Sequence, residues 1–193
     1  MKYLLILSCL LFTSVGWSED VCMDYLEDRD GLFYEKFMDA PFTGQYLSCY
    51  ENGQQLKVKS HYKDGKYEGE FIRYYEDGQL NIKSNFKDGK YDGEFLRYYK
   101  DGQLNIKSNF KDGKYDGKFL RYYESGQLSE KGNFKDGKPE GEQLSYHGNG
   151  KLKKTEIYKD GKLIEIIKPW EHHPPKSSQR IIYLKVDKIV RHF

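Results

Sequence analysis

The tripeptide Lys-Asp-Gly recurs at 63–65, 87–89, 111–113, 135–137 and 159–161, a period of 24 residues without slippage. Self-similarity at a fixed period of this size means a tandem repeat architecture, in which each unit buries apolar surface against its neighbours. The stretch Gly69–Gly89 returns as Gly93–Gly113 with only Ile72 replaced by Leu96 and Glu76 by Lys100. Looser copies occupy 117–137 and 141–161, and a first one begins at Pro41 with one extra residue near Gln54–Gln55. The chain therefore divides into a cap (19–40), five repeats over 41–161, and a C-terminal part (162–193). The repeats run 41–65, 66–89, 90–113, 114–137 and 138–161.

Each unit reads as two short strands joined by tight turns. Glu76-Asp77-Gly78-Gln79 and Lys87-Asp88-Gly89-Lys90 both set Asp-Gly between β-prone runs, a strong short-range hairpin signal. Two-residue Asp-Gly loops predict that Tyr75 faces Leu80, Arg73 faces Ile82, Phe71 faces Ser84 and Gly69 faces Phe86. Across the next turn Phe86 would face Tyr91, Ile82 would face Phe95 and Leu80 would face Arg97. Because side chains alternate across a strand, this register sorts residues by face. One face collects Phe71, Tyr75, Leu80, Ile82, Phe86 and Tyr91 with Arg73 and Arg97. The other is polar, with Ile72 and Tyr74 as exceptions. On that polar face the register sets Lys59 against Glu70, Lys83 against Glu94 and Lys131 against Glu142, while Lys107 meets Lys118. Gly69, Gly93 and Gly117 adjoin phenylalanines whose rings would cover them. The expected fold is all-β: an elongated, single-layer antiparallel sheet of tandem hairpins.

The flanks carry further signals. Residues 1–18 read as a secretory signal peptide, with cleavage after Ser18 preferred and after Gly16 as the alternative: a short basic start, an apolar run from Tyr3 to Phe12, then small residues before Glu19-Asp20. The destination is thus the periplasm, cell envelope or exterior. Ile6-Leu7-Ser8-Cys9 resembles a lipoprotein box, but apolar residues continue past Cys9, which argues against lipid anchoring. With Cys9 removed, Cys22 and Cys49 remain as an even pair in an oxidising compartment, candidates for a disulfide between cap and first repeat. Asp28–Gly31 reads as a turn, Leu32–Phe37 as a strand, and Leu163–Ile167 as a last strand. Pro169–Pro175 breaks regular structure, and Arg180–Phe193 is favoured as a strand over a helix.

Composition excludes several functions. Thirty-two Lys and Arg against 30 Asp and Glu give a net charge of +2, without the clustered basic excess of a nucleic-acid binder. No nucleophile elbow, phosphate loop or zincin spacing is present, and the carboxylates are duplicated with the repeat, unlike a unique catalytic pair. No enzymatic activity, cofactor or metal is expected. The Lys-Asp-Gly-Lys turns lack the spaced oxygen ligands of a calcium loop and read as type I′ turns. His172-His173, between prolines, reads as linker.

The pattern carried by Gly69, Tyr74, Tyr75, Gly78, Gln79, Leu80, Phe86, Asp88, Gly89 and Gly93 and their 24-residue images resembles the variant MORN repeat. Bacterial chains of this kind are labelled YwqK-like antitoxins, and Asp30–Gly44 resembles their usual start. The resemblance implies a twisted sheet of hairpins, a role in protein association or membrane proximity, and no catalytic residues. An antitoxin role would require a toxin acting in the envelope, because this chain carries an export signal.

Candidate binding residues follow from the predicted faces. Arg73, Arg97 and Arg121 form a ladder at ~10 Å spacing beside Tyr75, Tyr99 and Tyr123. Tyr74, Tyr98 and Tyr122 project from the opposite side. Exposed apolar area beside cations suits a protein partner with acidic groups. An envelope glycan or an anionic membrane surface are the alternatives. Stacking of arginine on tyrosine is the structural reading of the same residues.

Overall fold

In the computed structural model the described residues are 22, 25–51, 53 and 55–169. The signal segment expected at 1–18, and the linker and strand expected over 170–193, lie outside them. A small hairpin comes first, β1 (Leu26–Arg29) and β2 (Leu32–Glu35), turning at Asp30-Gly31. Eleven further strands form one open antiparallel sheet in which every neighbour in space is a neighbour in sequence. These are β3 (Gly44–Cys49) and β4 (Leu56–Lys63), then β5 (Lys66–Tyr74) and β6 (Leu80–Lys87). The same two-strand unit continues as β7 (Lys90–Tyr98) and β8 (Leu104–Lys111), then β9 (Lys114–Tyr122) and β10 (Leu128–Lys135). The last unit is β11 (Lys138–Tyr146) and β12 (Leu152–Lys159), and β13 (Lys162–Ile167) closes the order. At ~4.8 Å between strands the sheet runs roughly 50 Å from edge to edge.

The two turns of a unit differ. At Lys87-Asp88-Gly89-Lys90, Asp88 (φ 49°) and Gly89 (φ 79°) both adopt positive φ, the type I′ loop that matches strand twist. The other turn is not a two-residue loop. Gly78 donates to the Tyr75 carbonyl and Tyr75 to that of Gln79, leaving three residues, Glu76-Asp77-Gly78, outside the ladder. The strand consequently ends a residue early, and Tyr74, not Tyr75, pairs with Leu80. Asn81 is the extra residue; it bulges out of the pairing and is buried.

A second irregularity corrects the pairing across the Lys-Asp-Gly turn. Phe86 pairs with Tyr91, but Ser84 then pairs with Phe95 and Ile82 with Arg97, so three residues (92–94) oppose Asn85. Gly93 takes φ 103° within that bulge, and its counterparts Gly69 and Gly117 are also at positive φ. This backbone demand, rather than ring cover, explains the glycine: a Cβ at Gly69 would touch nothing, and one at Gly93 would meet Asn85 and no ring. The shift also reassigns the ion pairs. Lys83 bonds Glu70 at 2.9 Å and Lys107 bonds Glu94 at 2.7 Å, each on the strand before its own. Lys59 pairs with Ile72. The like-charge clash therefore falls not between Lys107 and Lys118 but where Lys118, the image of Glu70 and Glu94, lies diagonal to Lys131. Lys118→Glu should raise the thermal midpoint, by at most about 2–4 °C, and the gain should shrink in high salt.

The corrected register makes each face a set of rows crossing the sheet. On one face Ser60, Ser84 and Ser108 alternate with Phe71, Phe95 and Phe119. These serines are buried beneath the rings, and their hydroxyls have no partner. Nearer the Lys-Asp-Gly turns runs a continuous spine, Tyr62–Tyr67–Phe86–Tyr91–Phe110–Tyr115–Phe134, with successive centroids 4.3–5.4 Å apart. Phe71, Phe95 and Phe119 meet it edge-on. Offset and edge-to-face rings attract beyond their buried area, which is how a sheet one layer thick holds its shape. On the opposite face Leu47, Ile72, Leu96, Leu120 and Leu144 alternate with Lys59, Lys83, Lys107 and Lys131. Apolar lysine stems lie along such aliphatic neighbours while the ammonium stays in water.

The cap and first repeat hold three of the buried apolar residues, Leu26, Leu47 and Tyr62, with Ile106 and Phe119 buried farther along. Phe33, Phe42, Tyr46 and Tyr67 surround the Tyr62 ring. Backbone bonds from Phe33 to Gly65, Gly65 to Phe42 and Phe42 to Phe33 tie the β1–β2 hairpin to the first turn. Cys22 and Cys49 are joined by a disulfide with their Cα atoms 5.7 Å apart, so the segment before β1 is fastened to the end of β3.

Candidate interaction face

The aromatic face also carries the arginine row. Its Cα partners run Val58, Arg73, Ile82, Arg97, Ile106 and Arg121, so the Arg73 and Arg97 guanidinium groups rise between aliphatic side chains two strands apart. Arg73 and Arg97 are exposed and make no ion pair or hydrogen bond among the described residues. Arg121 differs. It bonds Glu130 at 3.0 Å and sits 5.4 Å from the Phe119 ring centroid. The change follows from sequence, because Glu130 stands where earlier repeats have Ile82 and Ile106.

The tyrosines turn out to be fasteners. Tyr75 donates its hydroxyl to the Tyr98 carbonyl at 2.8 Å, Tyr99 to Tyr122 at 2.8 Å and Tyr123 to Tyr146 at 2.7 Å. Tyr50 does the same to Tyr74 at 2.8 Å. Each bond satisfies the carbonyl at a strand end and links a repeat to the next. Tyr74, Tyr98 and Tyr122 supply the accepting carbonyls, pair with Leu80, Leu104 and Leu128, and are half-buried. At the opposite turn Gly89 donates to the Tyr67 carbonyl and Asp88 N–H to the Glu68 carboxylate, both at 2.9 Å. These bonds tie the two ends of one repeat together, while the tyrosine bonds join one repeat to the next.

Electrostatics agree with a half-covered ring surface. Burial pushes the Tyr91 hydroxyl above the ordinary tyrosine range, while the nearby Arg73 charge opposes the shift. Glu70 and Glu94 hold the Lys83 and Lys107 ammonium groups above their usual range by hydrogen bonding, on the other face. Among the described residues no cluster of three His, Cys, Asp or Glu side chains is placed to hold a metal. No helix among them is long and apolar enough to cross a membrane.

The arginines and rings thus share one face as the sequence suggests, and the hydroxyls of Tyr75, Tyr99 and Tyr123 also join one repeat to the next. The repeat pattern fails at Gln143 and Ser145, where the last copy is visibly worn, and also at Glu130 and Lys154. Their signal is the departure itself.

Four stretches, 67–88, 91–112, 115–136 and 139–160, match the family model described as the MORN repeat variant. Each spans one Lys-Asp-Gly-bounded unit of the sheet described above. No curated protein matches the chain.

Proposed function

We propose that this chain of MORN-variant repeats is an exported, non-enzymatic scaffold that holds a partner protein against its aromatic, arginine-bearing face. The observation that carries the reading is the pair Arg73 and Arg97, charged, exposed and unpaired between aliphatic neighbours beside a half-covered ring spine. Such a strip favours a partner segment that offers apolar side chains with interspersed carboxylates, because bidentate Arg–carboxylate contacts fix position while rings supply contact area. Export is supported by the Cys22–Cys49 bond, since disulfides persist chiefly in oxidising compartments. A toxin acting in the envelope is one partner compatible with this surface.

The test is Arg73→Glu with Arg97→Glu in the mature chain. The tyrosines are left intact because removing them would loosen the repeats. Crosslinked capture of the partner from the exporting cell should fall at least about tenfold, with the thermal midpoint unchanged. Undiminished capture would reject this face.

A further inference from the structure

The aromatic face changes character between the fourth and fifth repeats. Where earlier units carry Phe95 and Phe119, the last carries Gln143, and where they carry Arg97 and Arg121 it carries Ser145. The Gln143 amide folds down over Gly132, donating to the Asn133 carbonyl at 2.7 Å. The replacement is matched below, because Gly132 stands where Ser84 and Ser108 lie beneath rings. Removing a ring and a guanidinium from adjacent rows opens a recess of about 630 Å³, within the size range of small-ligand sites.

We propose that this recess binds one ring of a neutral saccharide chain. Phe134 and Tyr158 line it and offer apolar surface to the C–H side of a pyranose, with Phe119 buried beside them. Two opposite-charge pairs stand among the polar groups around them, Arg121 with Glu130 at 3.0 Å and Lys154 with Glu156 at 2.7 Å, beside Lys131 and Lys153. Paired this way they present donors and acceptors in set positions. Sugar hydroxyls use both. A peptide is less suited. The recess lies inside the sheet, where strands on both sides already use the main-chain groups that strand addition requires.

The experiment restores the chain's own repeat pattern with Gln143→Phe and Ser145→Arg, which fills the recess with residues the same fold already accommodates. NMR titration of the mature protein with tri-N-acetylglucosamine and with maltotriose should show at least one binding, with Kd below about 1 mM. The shifts should centre on Phe134, Gln143 and Tyr158, and the restored variant, folded by its thermal midpoint, should bind at least about tenfold more weakly. The proposal is overturned if neither saccharide perturbs those residues, if the variant binds as well as the parent, or if an acidic hexapeptide displaces the sugar from the recess. Arg73 and Arg97 lie outside the recess, so their substitution should leave saccharide binding intact.

Discussion

Tyr62→Ala is expected to cost about 3–5 kcal/mol of unfolding free energy, the range for deleting a buried aromatic ring. Tyr62 is only 2% exposed and touches four rings, two of them, Phe33 and Phe42, outside the sheet. Its loss would leave a void where cap and first repeat meet. In a structure whose repeats contact only their neighbours, the damage should concentrate at that end. Urea denaturation should show the lost stability, and hydrogen exchange should quicken in β2–β4 while β8–β11 stay protected. Equal exchange at both ends would contradict a chain of nearest-neighbour contacts. The same residue sets an alkaline limit. Burial pushes the Tyr62 hydroxyl far above the ordinary value, so the native state keeps a proton that the unfolded chain releases near pH 10. Its contribution is complete below pH ~10 and declines as pH rises further. Tyr46, Tyr91 and Tyr146 shift the same way, each chiefly by burial. Stability should therefore fall steeply above pH ~10.

Opening the Cys22–Cys49 bond should produce the other large effect. The closed loop spans a sequence separation of 27 residues, and on the chain-entropy account such a crosslink stabilises by roughly 3–4 kcal/mol. Cys22→Ser with Cys49→Ser, or reduction of the native protein, should lower the urea midpoint accordingly. It should also expose the end of β3 to proteolysis. A midpoint unchanged by reduction would mean that the bond contributes nothing beyond the packing around Leu26 and Leu47.

The period of Lys-Asp-Gly, the hairpin unit and the sharing of a face by arginines and rings were all legible in the chain. So was Phe86 opposite Tyr91, because an Asp-Gly I′ loop leaves little freedom in register. Legibility stops at the bulges. Asn81 and residues 92–94 interrupt a pattern that two-fold alternation alone would continue, and nothing in strand propensity distinguishes a bulged Asn from a paired one. Once the interruptions are in place, Lys83 turns to Glu70 instead of Glu94. The role of Tyr75 was hidden for a related reason. Its position after the last paired residue frees the hydroxyl to reach the carbonyl of Tyr98, a contact between units that no single repeat reveals.

Because the hydroxyls of Tyr50, Tyr75, Tyr99 and Tyr123 each reach forward to the following unit, a copy excised or inserted at its Lys-Asp-Gly borders would leave none of these bonds unmatched. Near-identity between Gly69–Gly89 and Gly93–Gly113 has the look of such a duplication. Gene slippage in steps of 72 nucleotides, three for each residue of the period, could lengthen or shorten the protein by ~10 Å at a time. Selection would then adjust reach, much as adding links adjusts a chain, without redesigning either end.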